Sequence, residues 1–311
     1  MIYAEFAARE AAGESPAYEE LAVAVSLDSR VLALLDTLPP AKRQPNLLFG
    51  VGRFLGAPVT DPPAFLEFAV ANWDRVSREI LARATQTNEP RRCALLLPVL
   101  AALPQPLALL EVGPSAGLNL FPDRYSYRYG EVTVGAGEPV LECALAGIGA
   151  PQRVPQVVWR AGLDLNPLDV ADPADLAWLD ALIWPEHDER RVRQRAAARV
   201  AAAEPPVLVR GDLVDDLPAL AGRAPAGATL VVFHTMVLYQ VAAERRRLFA
   251  EVVRSVGARR IGVENPTVFE YPDLPNPPDE RLHHVLTLDD RPLAWARPHG
   301  QGLTWFGGGI P

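Results

Sequence analysis

The chain has 311 residues, of which 49% are hydrophobic and 22% charged. That length fits one large domain or two smaller ones, and that apolar fraction excludes wholesale disorder. A net charge of −8 and a pI near 5.3 argue against nucleic acid as the main partner, because phosphate binding needs a clustered basic surface.

The first five residues, Met1-Ile2-Tyr3-Ala4-Glu5, lack the basic-then-apolar order of a signal peptide. Residues 1–105 read as an all-helical cap or lid. Apolar residues recur at helical spacing in Tyr18-Leu21-Val25, Val31-Leu34-Leu35, Phe65-Phe68-Ala69 and Val76-Ile80. Prolines punctuate these pieces, with Pro62-Pro63 just inside a helix start. Lys42, in a proline-rich loop, is the single lysine among 30 basic residues. No GxxxxGK[ST] phosphate loop exists, and lysine-based covalent chemistry has only that one position open to it.

Cys93 to Leu110 is almost wholly apolar, but Pro98, Pro104 and Pro106 interrupt it. It reads as a helix ending near Leu103, a Pro-Gln-Pro turn and a buried strand, not as a membrane span. Cys93 and Cys143 show neither a CxxC spacing nor a nearby histidine pair. No metal site or disulfide is expected, and the location expected is the cytoplasm.

From Leu107 onward, short apolar runs alternate with amphipathic helical stretches. The runs are 107–112, 156–163, 207–210, 229–233 and 260–263; the helices include 173–183, 187–203 and 240–256. Buried strands alternating with helices predict βαβ units and a mostly parallel sheet. The end, 285–288, 293–296 and 302–306, reads as closing antiparallel strands. Residues 125–134 alternate like a hairpin, with Tyr125, Tyr127 and Tyr129 on one face and Gly130 near the turn.

The strongest motif is Glu111-Val112-Gly113-Pro114-Ser115-Ala116-Gly117-Leu118-Asn119-Leu120, a buried strand ending in an acid, then a small-residue loop, then an expected helix. Glycines let a backbone approach a ligand, a helix N-terminus offers free N–H groups, and ligands of open α/β sheets sit at such a switch point. Three readings compete. A GxGxxG dinucleotide site fails on spacing. A G-x-S-x-G nucleophile elbow matches literally, with Ser115 as nucleophile and His299 after Asp289 or Asp290 completing a triad. The third reading is the first loop of an S-adenosylmethionine (SAM) site. A plain strand–helix turn of small residues remains the bland alternative.

The later strand ends form an ordered series: Gly162-Leu163-Asp164-Leu165-Asn166-Pro167, Arg210-Gly211-Asp212-Leu213, Phe233-His234-Thr235 and Val263-Glu264-Asn265. Over about residues 107–306 this series resembles the class I SAM-dependent methyltransferases. The resemblance implies an α/β, doubly wound, Rossmann-like seven-stranded sheet with an antiparallel last strand. It also implies SAM as cofactor, in a SAM-binding domain of 106–311 with a β-hairpin insertion at about 121–157. Carried over by position, Gly113, Ser115 and Gly117 form the loop beside Glu111. Asp164, followed by Leu165, takes the ribose, and Asp212 with Leu213 flanks adenine. His234 and Thr235 lie where the fourth strand opens to the substrate. Ser115 stands where the family has its middle glycine. Asp164 follows Glu111 by 53 positions instead of about 20, an excess the insertion absorbs.

The whole chain also resembles a bacterial family of unknown function. The carriers are Ala84-Thr85-Gln86-Thr87-Asn88-Glu89, the 111–120 motif, Asp123-Arg124-Tyr125, the 162–167 motif, Trp184-Pro185 and His299-Gly300. In the implied fold the helix near 89–103 begins over the ligand edge of the sheet, so Gln86, Thr87 and Arg91 are expected to reach the carboxylate of SAM or of a substrate acid, and Asn88 joins Gln86 and Arg91 among the expected cofactor-binding residues. Asn88 reads equally as that helix's N-cap. A base is needed only when the acceptor carries a proton. His234 is the best candidate, with Tyr125 and Tyr239 as pocket walls or cation–π partners.

The expectation is a SAM-dependent methyltransferase acting on a small molecule, bound to neither nucleic acid nor membrane. Aminocarboxypropyl transfer, cyclisation of SAM, a Ser115 serine hydrolase and a non-catalytic binding protein are the alternatives.

Overall fold

The computed structural model describes residues 2–309. The chain divides into two compact units. One comprises the chain up to Thr87 together with Ala171–Val192, and the other comprises Asn88–Val170 together with the chain from Arg193 onward. The sheet-bearing unit therefore begins at Asn88, well before 106. Helix α7 (Cys93–Ala102) belongs to it because this helix is buried all round. The Tyr129 hydroxyl donates to the Ala94 carbonyl at 2.7 Å and so ties the helix to a strand of the same unit.

The helical unit holds α1 (Ile2–Phe6), α2 (Pro16–Leu27), α3 (Ser29–Leu35), α4 (Pro45–Phe54), α5 (Pro62–Ala71), α6 (Trp73–Ala82) and α8 (Pro173–Ala181). Prolines open four of these helices, where a missing N–H leaves no intrahelical bond unmade. Ser15, Asp61 and Asp172 cap three of them by accepting from Tyr18, Ala64 and Ala174 amides. The apolar stripes read from the sequence meet in an aromatic core. Phe49 lies 4.9 Å from Tyr18 and 5.9 Å, edge-on, from Phe65.

The sheet unit contains β1 (Leu107–Val112), β2 (Ser126–Tyr129), β3 (Val132–Val134), β4 (Val140–Glu142), β5 (Ala144–Ala146), β6 (Val157–Asp164), β7 (Val207–Arg210), β8 (Thr229–Thr235), β9 (Arg259–Glu264), β10 (His284–Leu288), β11 (Arg291–Ala296) and β12 (Gly302–Trp305). With them run α10 (Leu217–Ala221) and α11 (Ala243–Ser255). Helix α9 (Asp188–Ala203) crosses the division between residues 192 and 193.

The main sheet has nine strands in the order β5-β12-β11-β10-β9-β8-β1-β6-β7, which corrects the expected seven. Strands β7, β6, β1, β8 and β9 are parallel, as the continuous apolar runs predict. The chain moves outward from β1 through β6 to β7 and then reverses to β8, so the switch point lies between β1 and β8. Beyond β9 the sheet continues through antiparallel β10, β11 and β12, and β5 pairs with β12 in parallel. The antiparallel part is thus an extension of three strands plus an edge strand drawn from the insertion. Leu110, Val112, Ala161, Leu163 and Val232 pack on one face against Leu217, Leu220, Phe249 and Val253 of α10 and α11.

The insertion folds as a second, three-stranded sheet, β3-β2-β4, with its hairpin turning at Gly130 in the left-handed region. Asp123 does not pair chiefly with its neighbour Arg124. It takes two 2.8 Å bonds from Arg160 of β6, and Arg124 turns to Glu204. Both cysteines are free and buried. Among the described residues no helix is long and apolar enough to cross a membrane.

Candidate functional site

The β1 loop sits at the carboxyl ends of the parallel strands. Gly113, Ser115 and Gly117 all have positive φ, at 69°, 51° and 72°. Gly113 is required by packing as well, since a methyl there would lie 2.5 Å from Val237 Cγ2. The loop does not open a long helix, contrary to expectation. It runs into one 3-10 turn, Leu118–Leu120, and Pro122 follows, whose ring and missing N–H stop further helical growth. The loop therefore leads into no α-helix N-terminus that could offer free N–H groups to a ligand.

The loop's donors are already engaged. The Ser115 amide donates to Asp164 Oδ2 at 2.8 Å and the Ala116 amide to Asn88 Oδ1 at 3.1 Å. The Gly113 and Gly117 amides donate to the carbonyls of Leu163 and Pro114. Asp164 Oδ1 accepts from the Asn166 amide at 2.7 Å, so the β6 acid ties the β1 loop, through Oδ2, to the turn that follows its own strand. Asn88 is not a cap. A 3-10 turn, Pro90–Arg92, leads into α7, and Glu89 caps that turn by accepting from the Arg91 amide, while Asn88 Nδ2 donates to Ser115 Oγ at 2.5 Å.

Glu111 ends β1 with 1% exposure. Its Oε1 accepts from Asn119 Nδ2 at 3.2 Å, and Oε2 has no hydrogen-bond partner among the described residues. Burial pushes this carboxyl up to about 8, against the pull of Asn119 and the charge of Arg92, and the nearby Asp164 adds to the rise. Burial thus favours the protonated form of Glu111 near neutral pH.

Strand register separates the remaining polar groups onto two faces. Val112 is level with His234 and Glu111 with Phe233. Successive side chains alternate, so Glu111 and Thr235 point to one face and His234 to the other. On the first face the buried Arg92 guanidinium donates to the Thr235 carbonyl and hydroxyl at 3.2 and 3.3 Å and to the Pro298 carbonyl at 3.1 Å. His284 also lies buried, and burial followed by the charge of Arg92 lowers it to about 4. On the second face His234 Nδ1 lies 2.8 Å from Glu264 Oε1. Burial raises the Glu264 carboxyl, but the bonds from His234 and two backbone amides outweigh it and hold the group below its ordinary value. Glu264 is thus an acceptor, and Nδ1 carries the proton.

The other expected residues are scattered. Asp212 lies two residues past the end of β7 and accepts from the Val214 amide at 2.7 Å and from Arg245. Burial raises its carboxyl, but these donors prevail and lower it overall. Leu213 is half-buried against the apolar core, while Leu165 is exposed. Tyr239 is exposed on the 3-10 turn Leu238–Gln240. Tyr125 is fully buried and its hydroxyl donates to the Leu118 carbonyl at 2.7 Å, so it braces the loop from within and offers no pocket wall. Arg91 Nε donates to the His299 carbonyl at 2.8 Å. Gln86 belongs to the helical unit. Ser115 Oγ is bonded to Asn88 and not to a histidine, so the triad arrangement is not assembled here.

Arg92, Asn119 and Glu264 carry much of this geometry and were not singled out from the sequence. Glu264 had a signal, since it ends the fifth strand of the ordered series. Asn119 had a weaker one, as the sole polar residue between Leu118 and Leu120.

Residues 1–305 match a family model described as an uncharacterized protein conserved in bacteria (DUF2332), and the chain belongs to that family. Comparison with curated proteins finds no match, and comparison with solved structures finds none.

Proposed function

We propose that the chain is a SAM-dependent enzyme acting on a small molecule, most simply a methyltransferase, with the cofactor in the crevice at the switch point between β1 and β8. The observation that carries this reading is the set of acids at the carboxyl ends of three adjacent parallel strands: Glu111 is the penultimate residue of β1, Asp164 the last of β6, and Asp212 lies two residues past β7.

The residues fit the group. Glu111 Oε2 is a buried oxygen with no partner among the described residues, and a primary ammonium supplies one. Asp164 uses one acceptor position on each oxygen, which leaves room for two hydroxyl donors from a ribose. Leu165 and Leu213 beside these acids offer apolar surface to a flat base. SAM supplies an activated methyl group, and holding donor and acceptor in line contributes much of the rate, so no elaborate acid–base set is required. Accordingly we do not assign a proton-transfer role to His234, whose ring lies 1% exposed beneath the sheet edge. Two buried free thiols and an acidic surface suit a cytoplasmic protein with small-molecule substrates.

Calorimetric titration with SAM and S-adenosylhomocysteine tests the reading. An ammonium beside Glu111 displaces its proton, so at pH 7 the binding enthalpy changes with the ionisation heat of the buffer. Folded protein that binds neither compound refutes the proposal. Mass analysis of the product then separates methyl transfer from aminocarboxypropyl transfer or cyclisation.

A further inference from the structure

We infer that Glu264 is the positioning residue of the 113–117 loop, acting through the turn that follows β8. One oxygen of this side chain, Oε1, collects three donors: His234 Nδ1 at 2.8 Å, the Val237 amide at 2.9 Å and the Leu238 amide at 3.0 Å. These bonds hold a turn whose first residue, Met236, has a left-handed φ of 57°. A side chain at that φ is strained, and it persists only where its surroundings fix it. Val237, the next residue, extends its isopropyl group over Gly113, as the 2.5 Å approach to a methyl built there indicates. The path from Glu264 to the loop is therefore two contacts long.

The His234 ring fits only because position 262 is glycine, where a methyl would stand 2.8 Å from His234 Cε1. Phe249 closes the ring's other side, edge-on at 5.6 Å. A turn former would ordinarily be a short local side chain within a few residues. Here the acceptor comes from the neighbouring strand, 27 positions away, and is 1% exposed, with no partner for Oε2 among the described residues. Burying a carboxylate at that point is costly unless donors meet it, and the three groups that meet this one are thereby ordered. What it orders is the end of β8, the turn and, through Val237, the glycine loop.

The consequence for ligand affinity rests on the adenosyl-ligand reading above; the consequence for loop order does not. Amide hydrogen exchange on the ligand-free protein tests the latter with Glu264→Ala, Glu264→Gln and Val237→Ala. Gln keeps an acceptor oxygen for all three donors and Ala keeps none. In Glu264→Ala the amides of 113–117 and 237–240 should exchange about tenfold faster or more, with β2 unchanged, and Glu264→Gln should restore them to within about threefold. Val237→Ala should accelerate 113–117 and leave 237–240 at the wild-type rate. The inference is overturned if 113–117 exchanges at the wild-type rate in Glu264→Ala, if β2 accelerates equally, or if Gln does not rescue. Should Glu264→Ala fail to fold, the Val237→Ala result decides. SAM titration of the same variants should show the same order of affinities. A wild type that binds no SAM sinks the functional reading and leaves the exchange result standing.

Discussion

Replacing Glu111 by Gln should change how stability depends on pH. The folded carboxyl sits at about 8 against an ordinary 4.5, chiefly because burial disfavours its charged form. Between those values the unfolded chain has released this proton and the folded chain still holds it. Stability is therefore full below pH 4.5, falls as pH rises through the window, and stops falling above 8. The slope is about 1.4 kcal/mol per pH unit, giving a ceiling of about 4–5 kcal/mol over the window. Water entry and relaxation reduce that ceiling, and we expect at least about 2 kcal/mol to remain. Glutamine keeps the acceptor for Asn119 and has no proton to lose, so Glu111→Gln should match the wild type near pH 5 and exceed it at pH 8. Urea denaturation of both proteins at several pH values measures this difference, and every other titrating group cancels in it. Parallel curves for the two proteins from pH 5 to 8 would refute the assignment of a proton-bearing Glu111.

Asp164→Ala frees the amides of Ser115 and Asn166, which should cost about 1–3 kcal/mol. It should also weaken SAM binding in the same titration; unchanged affinity in a folded variant would put the ribose elsewhere. Arg160→Ala leaves Asp123 nearly buried without its bidentate partner and removes the guanidinium from the Phe121 ring, 4.9 Å away. A loss of about 3–5 kcal/mol is expected in denaturation, and one below about 1 kcal/mol would show that water replaces the pair freely.

The parallel core was readable because its strands are buried on both faces and so appear as unbroken apolar runs. Leu107–Val112 is buried at every position, and its penultimate residue is the very acid that marks the site. Helix starts were readable from prolines and caps for the same local reason. What escaped notice depends on partners far away in the chain. β5 is three residues, Ala144–Ala146, with little side-chain pattern, and only its pairing with β12 makes it a strand. Asn88 and Glu89 are both capable caps. The choice falls to Glu89 because Ser115 and Ala116 engage Asn88, a contact between residues nearly 30 positions apart. Glu264 could be seen to end a strand, but its meeting with His234 follows from strand register. The missing helix after the loop had a local signal in Pro122 that the run of small and apolar residues obscured.

The pairing of β5 with β12 also dictates an order of events during synthesis. Residues 144–146 leave the ribosome long before 302–304, yet each needs the other to complete one edge of the sheet. Until the final segment arrives, the far side of β11 is a row of unpaired amides and carbonyls flanked by Leu293, Trp295 and other apolar side chains. Such an edge readily recruits strands from other molecules. Strand β12 thus acts as a seal, and a chain shortened before Gly302 should be prone to aggregation even though every residue of the candidate site is present in it.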